Sequence, residues 1–229
     1  MISRLAPTLL VCLILSSCDR TNRVSVDGVN ETFCVPKIGY IAPSVWFVPE
    51  DASGAPQGFS FGGCHRLQSA DRASCSLPDE LISADVDSLS KRRNELWGEL
   101  RNAAIFKAIA ESTSMRFEVD PNSGYLVISN PTESNAWFAW KRATESQPLS
   151  ANSLGDDDRL VVSCSEVEDY PRSAGLGRQG DYACERYVRG AQYALEYRFI
   201  SKIRIPDERQ LAELDRKLSD QVDRWRCPD

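Results

Sequence analysis

Histidine is scarce in this 229-residue chain, and its single histidine, His65, limits the catalytic chemistry that the sequence supports. Serine and cysteine nucleophiles are usually activated by an imidazole, so any Ser–His or Cys–His mechanism would have to use His65. Its neighbour Cys64 belongs to an even set of cysteines, a pattern that favours a disulfide over a free thiolate. The sequence therefore predicts no catalytic residue, and we interpret His65 as a hydrogen-bonded or surface imidazole.

A glycine-rich hexapeptide at 175–180, GLGRQG, has the letters of the dinucleotide-binding fingerprint. That motif works when a strand leads into the loop and a helix N-terminus receives the pyrophosphate. Here the loop follows Tyr170-Pro171-Arg172 and lies between two cysteines, Cys164 and Cys184. The context does not suit a nucleotide, and the sequence predicts a flexible loop and no cofactor.

Three consecutive carboxylates, Asp156, Asp157 and Asp158, raise the question of a calcium site. Calcium loops space their oxygen ligands at alternate positions so that the ligands converge, whereas adjacent carboxylates point in different directions and repel. The run is interpreted as a solvated acidic loop that could face a basic partner. With one histidine and no C-x-x-C, the sequence predicts no metal site.

The most conspicuous cluster of large apolar residues is the segment 137–140, Trp-Phe-Ala-Trp. On a strand, Trp137 would face one side while Phe138 and Trp140 face the other. Two interpretations stay open, because buried aromatics dominate cores and exposed tryptophans often anchor protein interfaces. Trp137 and Trp140 are therefore candidates for partner binding, together with the three aspartates.

Short strands are predicted over most of the chain. Residues 33–75 are rich in glycine, proline and aromatics and show no helical period, which favours strands joined by turns. A hairpin is predicted at 115–129, and further strands at 136–141 and 160–165. From 193 to 205 apolar and charged residues alternate, which predicts a sheet with one covered and one wet face, bent near Ser201.

Two helices are predicted around these strands. Residues 85–112 carry apolar side chains every three to four positions, the pattern of an amphipathic helix. A last helix begins after Asp207, which precedes Gln210 by three as in a capping box, and it carries an apolar face from Leu211 to Trp225. The predicted fold is α+β: a mainly antiparallel sheet, an amphipathic helix before it, and a C-terminal helix packed on one face.

The N-terminus has the features of an export signal. A basic start at Arg4 is followed by an apolar stretch at 5–15, which is too short for a transmembrane helix, since that needs about 20 residues. The tetrad Leu15-Ser16-Ser17-Cys18 resembles the lipobox of bacterial lipoproteins.

That resemblance implies cleavage after residue 17, lipid on Cys18 and attachment to the periplasmic face of a membrane. Asp19 resembles the residue of lipoproteins kept in the inner membrane. Residues 18–32 are polar and are interpreted as a flexible tether that lets the domain stand off the membrane, with residues 33–229 as one periplasmic domain.

Six cysteines remain once Cys12 leaves with the signal and Cys18 carries lipid. In an oxidising periplasm an even six predicts three disulfides, which braces the fold, although 15 connectivities are possible. Cys164 with Cys184 is the expected local pair, and Cys227 is expected to tie the last helix to the body. The six candidates are Cys34, Cys64, Cys75, Cys164, Cys184 and Cys227.

Charge narrows the range of partners. Removal of residues 1–17 takes away only Arg4, leaving 26 Lys and Arg against 33 Asp and Glu, a formal charge of −7. This balance argues against nucleic acid and against polybasic adhesion to lipid.

The sequence predicts a non-enzymatic, membrane-anchored module that binds a protein. In one version of this prediction the partner protein is basic. The architecture looks like that of lipoprotein immunity proteins, which neutralise a toxin. The alternatives are a structural or assembly lipoprotein of the envelope and a hydrolase that uses carboxylates such as Glu166 and Asp169.

Overall fold

The computed structural model describes residues 21–26, 29, 31–36, 46–47, 58–66, 75–88, 115–129, 136–142, 159–167 and 177–228. The lipidation candidate Cys18, the three aspartates at 156–158 and residues 89–112 of the predicted amphipathic helix lie outside these residues.

The described chain is mostly antiparallel sheet, with one long helix at its C-terminal end. The strands in chain order are β1 (Thr21–Ser25), β2 (Thr32–Pro36), β3 (Trp46–Phe47), β4 (Gly58–Gly62), β5 (Leu81–Ser88), β6 (Arg116–Val119), β7 (Leu126–Ser129), β8 (Ala136–Lys141), β9 (Arg159–Glu166), β10 (Tyr182–Arg189) and β11 (Tyr193–Ser201). A short 3₁₀ helix spans Cys64–Arg66, and α1 spans Glu208–Arg224.

Nine strands form one sheet and two form a separate hairpin. The large sheet has the order β3-β4-β5-β11-β10-β9-β8-β7-β6, and β1 pairs with β2. Strands β6 to β11 follow one another as a meander, so strands that are consecutive in sequence are neighbours in the sheet, and β11 then lies against β5. The two inner strands β10 and β11 pair over their full described length, from Tyr182↔Ser201 to Arg189↔Ala194.

The main core lies between one face of this sheet and α1. Alternate residues of β11, namely Leu195, Tyr197 and Phe199, are buried on that face. They share one cluster with Leu211 and Leu218 of the helix. Each fully buried side chain of this kind contributes about 1.5–3 kcal/mol, so the helix is held mainly by its apolar stripe.

The predicted C-terminal helix is confirmed at its start and along its face. Asp207 caps the helix by accepting a hydrogen bond from the Gln210 backbone N–H at 2.7 Å. Leu214 and Val222 are buried as predicted, and Trp225 packs edge-on against Phe61 with ring centroids 4.9 Å apart. The helix therefore covers the sheet as its pattern indicates.

The predicted bend in the last strand is also present. Strand β11 ends at Ser201, whose hydroxyl donates to the Ile203 carbonyl at 2.6 Å and accepts from the Ile203 N–H at 3.2 Å. A side chain that bonds its own backbone in this way turns the chain out of the ladder.

Three expectations need correction. Residues 21–25 of the proposed tether are strand β1, because Val24 and Val26 alternate with polar residues and are buried. Residues 85–88 of the proposed helix continue β5, since Ala84 and Val86 face the core with period two. The second face of β11 is only partly wet, because Arg198 is exposed there while Glu196 and Ile200 are buried.

Three disulfides brace this fold, and one of them is the predicted pair Cys164–Cys184. Cys164 and Cys184 lie opposite each other on β9 and β10. Cys34 of β2 is bonded to Cys227, which ties the hairpin to the residues after α1 across 193 positions. Cys64 and Cys75 close a short loop of 11 positions beside β4 and β5.

We expect the Cys34–Cys227 bond to stabilise the fold more than the Cys64–Cys75 bond, because it closes a far longer loop. In the chain-entropy relation the long loop is worth about 5 kcal/mol and the short one about 3 kcal/mol. Urea unfolding of the two double alanine variants, Cys34→Ala/Cys227→Ala and Cys64→Ala/Cys75→Ala, measures the difference. If both variants lose the same free energy of unfolding, loop length does not decide which disulfide stabilises the fold more.

Candidate functional site

The two tryptophans proposed for partner binding are buried. Trp140 is fully buried, and Trp137 is 4% exposed. Neither ring offers surface to a partner in this structure. Trp137 nevertheless lies directly beneath an exposed residue, because its Nε1–H donates to the Arg204 carbonyl at 3.2 Å and the Arg204 guanidinium carbon lies 5.3 Å from the ring centroid.

The remaining sequence motifs adopt structural roles. Cys64 is bonded to Cys75 and is not a free nucleophile beside His65, which is half-buried. The described part of the glycine-rich hexapeptide, 177–180, leads into strand β10, whereas a dinucleotide fingerprint needs a helix there. Asp181 accepts from the Arg178 N–H and pairs with Lys202, and the Lys202 hydrogen bond lowers the pKa of Asp181.

One motif escapes the sequence reasoning above. Residues 58–62, GFSFG, have the letters of the Gly-x-Ser-x-Gly nucleophile elbow. The elbow needs a sharp turn from strand to helix, but these residues form the straight strand β4. Ser60 lies in the middle of β4 and donates a hydrogen bond to Asp85 on β5. The serine is therefore part of the sheet and not an elbow.

A carboxylate cluster occupies the sheet face opposite α1. Glu196 of β11 lies opposite Asp85 of β5 and Tyr187 of β10, and Glu185 is the diagonal neighbour on β10. Asp87 is buried one step further along β5. Glu185 also accepts from the Arg198 guanidinium at 3.0 Å. Four acids thus share this face with one arginine, and we call them the acidic cluster.

Glu196 is the residue of the acidic cluster whose pKa is clearly shifted from its ordinary value. Burial raises the pKa of Glu196 to about 8, and the charge and hydrogen bond of Glu185 and the charges of Asp85 and Asp87 act in the same direction. Glu196 therefore stays protonated at neutral pH, and its carboxyl O–H can donate a hydrogen bond to the neighbouring Glu185.

A cavity of about 290 Å³ adjoins the acidic cluster. It is lined by Glu185 and Arg198 together with small residues that include Ser163 and Ala183. Among the described residues, no group of three or more histidine, cysteine, aspartate or glutamate side chains is placed to hold a metal ion. A carboxyl group with a raised pKa, hydrogen-bonded to a second carboxyl group that lines a cavity, is the chemistry that this arrangement offers.

The second site is a split in the sheet between β9 and β10. These strands pair only from Tyr182↔Glu166 to Glu185↔Ser163, although both continue for four further residues. Strand β9 bulges at this point: Val162 lies opposite Ala139 and Leu160 opposite Trp140, so Val161 has no partner on β8. A bulge bends and twists its strand, which carries β9 away from β10.

Arg186 fills part of the split and ties it to α1. Its Nη1 donates to the Val161 carbonyl at 2.8 Å, and its Nε and Nη2 bind both oxygens of Asp215 at 2.9 and 2.7 Å. The Tyr197 hydroxyl donates to the same Asp215 carboxylate at 2.6 Å. Both partners of the ion pair are about 20% exposed. Arg186 thus donates one hydrogen bond to the β9 backbone where the β9–β10 ladder has ended.

A cavity of about 490 Å³ lies between this split and the N-terminal half of α1. We call it the β9–β10 cleft. Strand residues and helix residues line it: Tyr125, Lys141, Arg159, Leu160, Val161, Arg186, Tyr187, Val188, Arg189, Glu208, Leu211 and Ala212. Lys141 pairs with Glu208 at 2.7 Å. Burial and the charge of Glu208 raise the pKa of Tyr125, so its hydroxyl stays protonated.

We expect Glu196→Gln to flatten the pH dependence of stability. Because the pKa of Glu196 is raised in the folded state, the native chain binds this proton more tightly than the unfolded chain. The free energy of unfolding then falls as pH rises from about 4.5 to about 8. Glutamine cannot ionise, so the variant gains stability over the wild type at pH 8, on the order of a few kcal/mol.

Urea unfolding at several pH values measures this, with Glu213→Gln as the control. Glu213 is exposed on α1, and its hydrogen bond from Lys217 lowers its pKa, so its contribution is lost only as pH falls below its ordinary range. The control should keep the wild-type slope between pH 5 and 8. An unchanged slope in Glu196→Gln would contradict the assignment.

We expect Asp215→Asn to destabilise the fold by about 3 kcal/mol, because the variant leaves a mostly buried Arg186 without its counter-ion. The matched control is Asp220→Asn on the same helix, where Asp220 pairs with Arg216 in a solvent-exposed position. An exposed pair of this kind is worth at most about 0.5 kcal/mol. Thermal unfolding of both variants gives the comparison, and similar shifts would refute the special role of Asp215.

Comparison of the chain with protein-family models gave no match, and curated protein sequences and solved structures gave none either. Within the described residues, no helix is long and apolar enough to cross a membrane. Proposals about function therefore rest on the residues of this chain.

Proposed function

We propose that this chain is a lipid-anchored protein of the periplasmic face of a bacterial membrane that acts as a protein-binding module. The tetrad ending at Cys18 supports the anchor, and three disulfides suit an oxidising compartment. The observation that carries the binding role is an exposed patch at the sheet edge formed by β6.

This patch, which we call the β6 patch, consists of Glu118, Val119, Ile203 and Arg204. Val119 and Ile203 are the large hydrophobic residues that are exposed in the described part of the chain, at 38% and 46%. Glu118 and Arg204 join their two segments through an ion pair at 2.7 Å. Trp137 supports Arg204 from below. Val119 and Ile203 are each next in sequence to one member of this ion pair. Exposed apolar residues and an arginine packed on an aromatic ring are both frequent in interface hot spots.

The backbone of β6 adds a second means of binding. The Asp120 N–H donates to the Tyr125 carbonyl at 2.9 Å, so this pair faces β7. Residues of an antiparallel strand alternate in direction, which turns the backbone groups of Phe117 and Val119 away from β7. Strand β6 is last in the order of the described sheet. An extended segment of a partner could add to this edge by β-augmentation.

The anchor would keep the domain close to the membrane. Strand β1 begins at Thr21, so Asp19 and Arg20 alone separate it from Cys18. Three residue steps span about 10 Å at full extension. The hairpin is bonded to the body through Cys34 and Cys227, so the whole domain follows the anchor. The hairpin would therefore lie beside the membrane, while β6 is the strand at the sheet edge opposite β3 and β4.

The specialisation we favour is neutralisation of an incoming toxin, by likeness to lipoprotein immunity proteins. The formal charge of −7 without residues 1–17 favours association with a basic partner. An assembly lipoprotein of the envelope is the alternative, and it would have a constitutive partner. Crosslinking in cells grown without the toxin separates the two.

A carboxylate-based hydrolase is a second candidate, favoured by one observation. Burial and the neighbouring Glu185 raise the pKa of Glu196 on the sheet face opposite α1, and Glu185 lines a cavity of about 290 Å³. A carboxyl group with a raised pKa beside a second carboxyl group can divide the roles of general acid and general base. Glu185→Gln and Glu196→Gln should then abolish hydrolysis while the β6 patch still binds.

We expect Cys18→Ser to release the protein from the membrane fraction, because a serine cannot accept the thioether-linked lipid. Labelled palmitate followed by membrane fractionation measures attachment, and Cys12→Ser is the control, since Cys12 lies within the proposed signal. Membrane attachment that persists in Cys18→Ser would contradict the anchor.

We expect Ile203→Glu and Val119→Lys each to weaken partner capture by about tenfold or more, because burying a charge in an interface core costs over 1.4 kcal/mol. A photo-crosslinking residue at position 119 or 203 should give a discrete adduct in oxidised membranes. The same photo-crosslinking residue in place of Arg209, which is exposed on α1, should give no adduct. Equal adducts at all three positions would refute the β6 patch as the binding surface.

A further inference from the structure

Strand β6 carries charged side chains on one face and apolar side chains on the other. Arg116 and Glu118 are exposed on the α1 side of the sheet. Met115, Phe117 and Val119 alternate with them on the opposite side. Met115 and Phe117 pack against a small second core there but are only half-buried, and Val119 is 38% exposed. The apolar row therefore reaches the edge of the sheet while part of its surface stays open.

The backbone of β6 can accept a further strand at defined residues only. The hydrogen bond from Asp120 to Tyr125 fixes which residues of β6 bond to β7, and the others alternate with them. The N–H and C=O groups of Met115, Phe117 and Val119 therefore point away from β7. An added strand must present its own outward-facing backbone groups opposite these three residues.

A second copy of β6 meets this requirement without placing like charges together. Three antiparallel registers oppose at least two outward-facing residues of each copy. In the register centred on Phe117, Arg116 lies opposite the partner's Glu118, and the two-fold symmetry repeats this pair. A shift of two residues in one direction places Arg116 opposite the partner's Arg116, and a shift in the other direction opposes the two copies of Glu118. Opposite charges across strands stabilise a sheet and like charges destabilise it, so the charges select the central register.

The same register also satisfies the backbone and the apolar row. Phe117 exchanges hydrogen bonds with the partner's Phe117, and Met115 does so with the partner's Val119, as directly opposed residues of an antiparallel pair can. The two Phe117 rings lie across the junction from each other, an arrangement that favours a sheet. The apolar row then runs from one copy into the next on the side opposite α1.

The existing contacts of Glu118 are compatible with this pairing. Its ion pair with Arg204 uses Oε1, at 2.7 Å, which leaves Oε2 to accept from the partner's Arg116. Edge strands commonly prevent self-pairing with lysines, prolines or bulges. Strand β6, from Arg116 to Val119, contains neither lysine nor proline, and its pairing with β7 shows no bulge. The edge therefore lacks the usual barriers against a second copy.

We propose that β6 pairs with β6 of a second copy of this chain, in the antiparallel register centred on Phe117, so that two sheets become one. The inference rests on the proposed role of β6 as a binding edge, and it names a second copy of the chain as the occupant. It uses Glu118 and Val119 of the β6 patch.

The first test introduces single cysteines into the full-length, lipid-anchored chain and detects dimers by non-reducing electrophoresis of oxidised membranes. Phe117→Cys should crosslink to itself, because directly opposed residues have Cα atoms about 5.5 Å apart, within disulfide range. Val119→Cys should not, because the two copies of position 119 lie about 13 Å apart along the strands. It should crosslink to Met115→Cys when both are co-expressed. Arg209→Cys, exposed on α1, controls for random collision and should stay monomeric.

The second test changes the charges and leaves Phe117 in place. Arg116→Glu and Glu118→Arg each turn the cross-strand pairs into like-charge pairs, so each variant alone should dimerise about tenfold more weakly, or worse. A mixture of the two variants should recover dimers, because every cross-strand pair then has opposite signs again. Sedimentation of the detergent-solubilised protein measures this, with Arg209→Glu as the control, and circular dichroism checks the fold of each variant.

The outcomes separate this inference from the proposed function. If Phe117→Cys stays monomeric, if Val119→Cys crosslinks to itself equally well, or if the charge variants fail to recover dimers on mixing, the inference is overturned. Capture of a different protein at position 119 without self-crosslinking at 117 would overturn it too, and would support the proposed function. Self-crosslinking at 117 with no other protein captured at position 203 would support the inference and contradict binding of a different protein.

Discussion

The ion pair between Arg186 and Asp215 is the interaction on which the rest of this structure depends. It joins the central strand β10 to α1, and through the Val161 carbonyl it also holds the strand that bulges away. A sheet that opens between two inner strands would leave buried backbone groups unpaired, which costs free energy. The guanidinium supplies donors where the ladder has none, so the opening persists as a recess and not as a defect.

The Cys34–Cys227 disulfide attaches a hairpin that the large sheet does not hold. The β1–β2 hairpin lies outside the nine-stranded sheet, and a two-stranded hairpin alone is marginally stable. Cys34–Cys227 and the backbone bonds around it attach the hairpin to the end of α1. With an anchor on Cys18, any pull from the membrane would pass through this hairpin to the helix. The disulfide therefore lies on the path that joins anchor and domain.

Some of this fold can be predicted from the sequence, and the limit has a physical cause. Strand β8 and the start of α1 follow from local signals, an alternating aromatic segment and the Asp207 cap. The burial of Glu196 does not, because alternation shows which residues share a face and not whether that face is covered. The β9–β10 cleft leaves no pattern either, since a single extra residue at Val161 creates it. The alternation Ala84-Asp85-Val86-Asp87 did contain the signal for β5, but the helical spacing after it obscured the boundary.

Net charge proves a poor guide to what each surface binds. The chain is acidic overall, yet Glu196 holds a proton on the sheet face opposite α1, and that proton reduces the negative charge which a partner would meet there. Beside α1, the Arg186 guanidinium is paired with the Asp215 carboxylate, so these two charges cancel locally. Attraction over distances beyond about 10 Å follows the summed charge, but it is strongly screened in salt. Binding at contact follows the local groups, so the summed charge does not decide which partner a given surface of the domain prefers.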